Sequence, residues 1–212
     1  KESTEGIKEA FNKNYINFTS VMVNTEYLLQ DEDIAFLKDK KYGLHLNYIT
    51  GFYKHNGEKY VYSVNIPGNI SARINTKKAF LKIDEEAKKI IQEDTYNQIE
   101  TFKTLGLKSD FFDSHGHTHH MLPVAKIVSP IMKSNEFTKT RIPTNLNSRH
   151  NILHKIYKSF VRLYLKKKFE SPKYFCAFGD LLYMKSYKKF KNKTVEIMTH
   201  PFIDKYGKLI NR

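Results

Sequence analysis

The sequence predicts an α/β fold built on a parallel sheet or a barrel. Short β-branched and aromatic runs alternate with helical patterns of ten residues or more, the signature of βα units. A chain of 212 residues with 40% apolar side chains is long enough to bury one core, so a single domain over 1–212 is expected. Aromatics at 14% exclude a disordered chain. No apolar run approaches the length of a membrane-spanning helix.

Taken in order, residues 3–13 read as a helix with Ile7, Ala10 and Phe11 on one face. Residues 16–23 are β-branched and aromatic and suit a buried strand. A helix follows over 26–38, then a strand over 41–51 that ends at Gly51. The turn signals Asn56-Gly57 and Pro67-Gly68 mark 52–75 as an excursion or lid. Residues 76–106 predict one long helix closed by Gly106. A strand over 110–119 comes next, then a helix from Pro123 to about Asn135 with a kink at Pro130. A further strand is read over 138–143. Residues 150–168 predict an amphipathic helix with Lys155, Lys158, Arg162 and Lys166–Lys168 on its basic face. Two buried strands, 174–178 and 194–200, complete the chain.

Lys and Arg number 36 against 22 Asp and Glu, a net charge of +14. The excess is nearly all lysine. Arginine is the residue suited to bidentate phosphate and base recognition, so no nucleic-acid partner is expected. A non-catalytic binder of anionic polymer is the reading that the charge alone would favour. The basic face of 150–168 reads as solvated, with a membrane surface as the minor alternative. Cys176 is the only cysteine, so no intramolecular disulfide forms, and a reducing, cytoplasmic compartment is expected. It lies in an apolar run and reads as a small core residue rather than a nucleophile. No signal-peptide pattern is visible.

In folds of this class the chemistry sits at the C-terminal ends of the strands. Four of nine histidines fall within 115–120. If 110–119 is extended, Asp113, His115, His117 and His119 share a face. A carboxylate and three imidazoles converging there suit a divalent ion, with the Asp orienting a ligating His. Asp113 and His117, flanking His115, are expected to orient a ligand or touch substrate. A histidine cluster on a surface loop is the plain alternative. His45 and Asn47 share a face of the 41–51 strand. His200 closes a short strand at Pro201, together with Glu196 and Met198 on one face.

These segments together resemble the YdjC-like carbohydrate deacetylases. The matching stretches are Gly6-Ile7-Lys8-Glu9-Ala10, Met22-Val23-Asn24, GLHLNYITG at 43–51, DSHGHTHHMLP at 113–123, Thr140-Arg141, and EIMTHP at 196–201. The resemblance implies a distorted (β/α) barrel of the glycoside hydrolase/deacetylase type. It also implies one divalent metal ion, Mg²⁺ or Zn²⁺, with His45 and His115 as ligands. His200 would be the general acid, and Arg141 would position the base or bind substrate. Asn47 would support the site or bind substrate. The family's Asp-Asp-Phe-Gly strand is absent from the chain, so the first strand, its ligand Asp and its base Asp are expected upstream of Lys1. The expected activity is removal of an N-acetyl group from an amino sugar or acetylated oligosaccharide. Other metal hydrolases, of the amidohydrolase or histidinol-phosphatase type, carry their His-x-His on the first strand rather than mid-chain. A homodimer is left open.

Overall fold

The structure is a computed structural model, and it describes residues 2–63, 65, 69–76, 78–143, 152–182 and 190–211. In chain order the elements begin with α1 (Glu2–Asn12), β1 (Thr19–Val21), α2 (Asp31–Leu37) and β2 (Tyr42–Leu46). The hairpin β3 (Phe52–His55) and β4 (Glu58–Val61) follows, then α3 (Ile70–Ile74) and α4 (Glu85–Thr104). Next come β5 (Phe111–Ser114), α5 (Leu122–Ser134), β6 (Lys139–Thr140), α6 (Ile152–Lys166) and β7 (Tyr174–Ala177). The chain ends with α7 (Phe178–Leu182), β8 (Val195–Met198), β9 (Pro201–Ile203) and β10 (Leu209–Asn211).

The fold is α/β with parallel strands. One sheet has the order β1-β2-β5-β6, with every neighbouring pair parallel. β7 and β8 form a second parallel pair. A bridge between Lys139 and Glu170 ties the β6 edge to the chain entering β7. No closed sheet is formed among the described strands.

Strand alternation sorts the central sheet into two faces. Leu44 pairs with Phe112, and Leu46 with Ser114. Leu44, Leu46 and Phe112 are buried in the core that also takes Ile91, Ile99 and Phe102 of α4 and Val124, Val128 and Met132 of α5. The opposite face carries Ser20, Gly43, His45 and Asp113, because Ser20 pairs with Gly43 and His45 with Asp113. Gly43 is needed there, since a Cβ would lie 2.4 Å from the Phe111 ring and 2.8 Å from its carbonyl oxygen.

Several boundaries differ from the sequence reading. The helix expected over 76–106 begins only at Glu85, because Asp84 accepts the Ala87 N–H at 2.8 Å and caps it there. Lys78–Phe80 forms a separate 3₁₀ turn. At the other end Gly106 does stop the helix, in the left-handed region at φ +73°. The hairpin turn lies at Asn56-Gly57, both with positive φ, and Pro67-Gly68 falls outside the described residues. The strand expected over 110–119 stops at Ser114. In α6 the apolar stripe does not all face the core: Val161 and Leu165 are buried, whereas Ile152, Leu153, Ile156, Phe160 and Leu163 are exposed. Cys176 is a buried core residue.

A buried polar bridge joins the hairpin to the end of β2. Asp94 accepts bonds from Tyr62 Oη and Gln98 Nε2, and Gln98 in turn bonds the backbone N–H and carbonyl of Asn47. Burial pushes the Asp94 carboxyl up to about 7.

The helix α1 packs against β9 at Gly6, where a Cβ would stand 2.6 Å from Phe202 N and 2.7 Å from Pro201 C. Gly6→Ala gains about 1 kcal/mol of helix propensity. Overpacking against backbone that cannot swing away outweighs it. The variant is expected to be less stable by about 1–3 kcal/mol, measured by urea unfolding. Equal or greater stability would show that α1 slides freely over β9.

Candidate active site

His45 leaves β2 on the polar face, directly beside Asp113 on β5. Their separation, Nδ1 to Oδ1, is 2.5 Å. A carboxylate can only accept, so Nδ1 carries the proton that bridges the pair. Ser20 on β1 braces the pair, with its Oγ 3.0 Å from His45 Nδ1 and 3.3 Å from Asp113 Oδ2. On the far side Arg141 Nη1 lies 3.0 Å from Asp113 Oδ2. Asp113 is fully buried. Burial alone would raise its pKa, but the charges of His45 and Arg141 hold it well below the usual carboxylate range. Both its oxygens have partners, His45 on Oδ1 and Ser20 and Arg141 on Oδ2.

Beyond Ser114 the strand reading fails. Residues His115–His120 form 3₁₀ turns broken by Gly116 (φ 59°) and His117 (φ 55°). Two consecutive left-handed residues turn the chain, so the alternate histidines do not share a face. His115 alone comes to His45, with ring centroids 5.9 Å apart. Burial, then the charges of His45 and His200, lowers its pKa. His117 instead stacks on His120 at 5.3 Å and meets Phe175 edge-on at 5.5 Å. Its buried Nδ1 has no hydrogen-bond partner among the described residues, and burial pulls its pKa down to about 4.

His119 serves Arg141. Its Nε2 donates to the Arg141 carbonyl at 2.9 Å, and its Nδ1 takes the Ser114 hydroxyl at 2.5 Å. Burial drops its pKa to about 3, so the ring is neutral, as that pattern requires. Of the two roles expected for Asn47, its surroundings suit the supporting one. It is fully buried, and its side chain bonds Asn24 and the backbone of Ile49 and Thr50. It shapes the loop leaving β2 and has no exposed atom for a substrate.

His200 lies past the end of β8 rather than on it, exposed, with its N–H donating to Asn211 Oδ1 at 2.7 Å. Its pKa is lowered by partial loss of water around the ring, then by the charges of Arg141 and His45. The structure therefore brings His45, His115, Asp113 and Arg141 together, and His200 is held by a different element. Sequence reasoning missed Ser20, the one small polar side chain facing inward from β1, and the role of Glu196, a charge inside an apolar strand. Glu196 Oε1 lies 2.6 Å from Arg141 Nε.

The donor set fits a divalent ion in part. Two imidazoles meet edge-to-face, one with its tautomer set by a carboxylate, the usual support for a ligating histidine. Among the described residues no group of three His, Cys, Asp or Glu side chains is arranged to hold a metal. His45 and His115 would thus be two donors of a larger set.

A family model described as YdjC-like protein matches residues 1–208. The chain belongs to the YdjC-like family. Among solved structures, this YdjC-like chain is similar to a "putative cellobiose-phosphate cleavage protein" from Enterococcus faecalis. The TM-score is 0.57 at 18% identity, covering 97% of this chain and 77% of that one. At that identity the likeness shows the fold alone. No match is found among curated proteins. No helix among the described residues of the YdjC-like chain is long and apolar enough to cross a membrane.

Proposed function

We propose that this YdjC-like protein is a metal-dependent carbohydrate deacetylase that hydrolyses the N-acetyl group of an amino sugar. The observation that carries the reading is the His45–Asp113 pair, with the His115 ring against it. His45 and His115 would hold one divalent ion, Mg²⁺ or Zn²⁺, which when bound polarises a carbonyl and makes water acidic. Asp113 keeps the His45 proton on Nδ1, so Nε2 stays a donor of electrons. Arg141 compensates the buried Asp113 charge. His200, at the exposed rim, would hand a proton to the departing amine, which leaves poorly unless protonated.

The four-stranded parallel sheet and the β7–β8 pair fit a distorted (β/α) barrel, and the buried single cysteine suits a cytoplasmic location. The net charge of +14 favours the rival reading, a non-catalytic binder of anionic polymer. One experiment tests both. The protein with Zn²⁺ or Mg²⁺ is expected to release acetate from an N-acetylated oligosaccharide, and a chelator is expected to stop it. Binding of a polyanion with no acetate released under either metal would replace the proposal with its rival.

A further inference from the structure

Arg141 is held from four sides. Its guanidinium lies over the Phe175 ring at 4.7 Å. Its backbone carbonyl takes the His119 and His120 rings at 2.9 and 3.2 Å. One nitrogen, Nη1, reaches Asp113 Oδ2 at 3.0 Å. The other two, Nε and Nη2, converge on Glu196 Oε1 at 2.6 Å each. Arg141 is 8% exposed, and a guanidinium does not lose its charge in a protein. It is therefore a fixed cation between two carboxylates.

The sheet explains why Glu196 is at that spot. Phe175 and Glu196 are register partners in the parallel β7–β8 pair, and such partners share a face. The ring that carries the guanidinium and the acid that grips its edge thus come from adjacent strands of one unit. That unit is separate from the β1-β2-β5-β6 sheet carrying His45 and Asp113.

We infer that Glu196 is a positioning residue: it sets Arg141 against Asp113 and offsets the arginine charge, so that Asp113 keeps its hold on His45. The charges support this. Asp113 and Glu196 with Arg141 sum to one net negative, next to the site proposed for a divalent cation. With Glu196 made neutral the sum is zero, and the Nε/Nη2 edge of the guanidinium loses its charged anchor, so Arg141 is free to swing away from Asp113 and leave it without its brace toward His45. The inference rests on the proposed role of His45 and Asp113, and its test separates the two.

The first measurement needs no metal. In a crystal structure of the metal-free full chain carrying Glu196→Gln, Arg141 is expected to leave Asp113, with every N–O separation beyond about 4 Å, the outer limit of an ion pair. Glu196→Asp, which keeps the charge, is expected to retain the contact. In the wild-type chain the Arg141 Nε proton is expected to give a resolved, slowly exchanging NMR signal, and a fast-exchanging one overturns the inference whatever the variants do. The second measurement is Zn²⁺ titration by calorimetry. Glu196→Gln is expected to weaken binding about 10-fold, the scale of lost outer support for a ligand. The same change in an Arg141→Met background is expected to add nothing. Arg141 still at Asp113 in Glu196→Gln, or unchanged Zn²⁺ affinity there, overturns the inference, even if the variant melts earlier. A wild-type chain that takes no Zn²⁺ or Mg²⁺ sinks the functional proposal instead, and the position of Arg141 still decides the role of Glu196.

Discussion

His200→Ala is expected to lose about 10²–10⁴-fold in turnover while the protein still takes up its full divalent ion. The side chain sits at the exposed rim past β8, within the electrostatic reach of His115, His45 and Arg141. It is the one imidazole of the group whose backbone is fixed by a different element, through Asn211 of β10. If His200 only holds the β8–β9 junction, the variant would melt earlier but work normally per folded molecule. Acetate release, metal content and melting temperature on one preparation separate these outcomes. Full turnover would end the assignment, and loss of metal would move His200 among the ligands.

Asp113→Ala is expected to have the largest effect on stability, about 3–5 kcal/mol by the measure of a broken buried ion pair. Three groups each lose a partner at once: Arg141, His45 and Ser20. Glu196 still holds Arg141, so the lower end of that range is expected. Asp113→Asn keeps the shape and is expected to cost less stability, yet it should weaken metal binding or activity about 10–100-fold, since the amide no longer fixes the proton on His45. Urea unfolding and Zn²⁺ titration check the two parts. A loss below about 1 kcal/mol in the alanine variant would show that the pairing behaves like a surface one.

The sequence was most legible where one rule governs the chain. The β2 segment declares itself by Leu44 and Leu46 alternating with Gly43 and His45, and α4 ends where Gly106 says it should. The 115–120 segment misled because period-two alternation presumes extended backbone. Gly116 and His117 adopt left-handed geometry instead, which glycine allows freely and histidine more readily than most residues. In α6 apolar spacing shows a helix but not which part of its surface is covered. Asn47 was read by its place beside His45, whereas an Asn that bonds the backbone two and three residues on is doing what that side chain does best in turns. Ser20 and Glu196 could be found only through strand register, which places Ser20 beside Gly43 and Glu196 beside Phe175. No local pattern carries that information.

The chain of contacts from Ser20 through His45, Asp113 and Arg141 to Glu196 has a consequence for how the protein is made. Its members enter from the first strand and from nearly the last, so the ion-pair line closes only when segments 176 positions apart (196 less 20) have met. Such distant closure is entropically slow. During synthesis the β1-β2-β5 sheet can form while Arg141, already emerged, has one carboxylate and not two. A half-folded chain then carries a buried or half-buried cation in search of an acid. Closure of the ion-pair line is therefore expected late and all at once, with the arrival of β8.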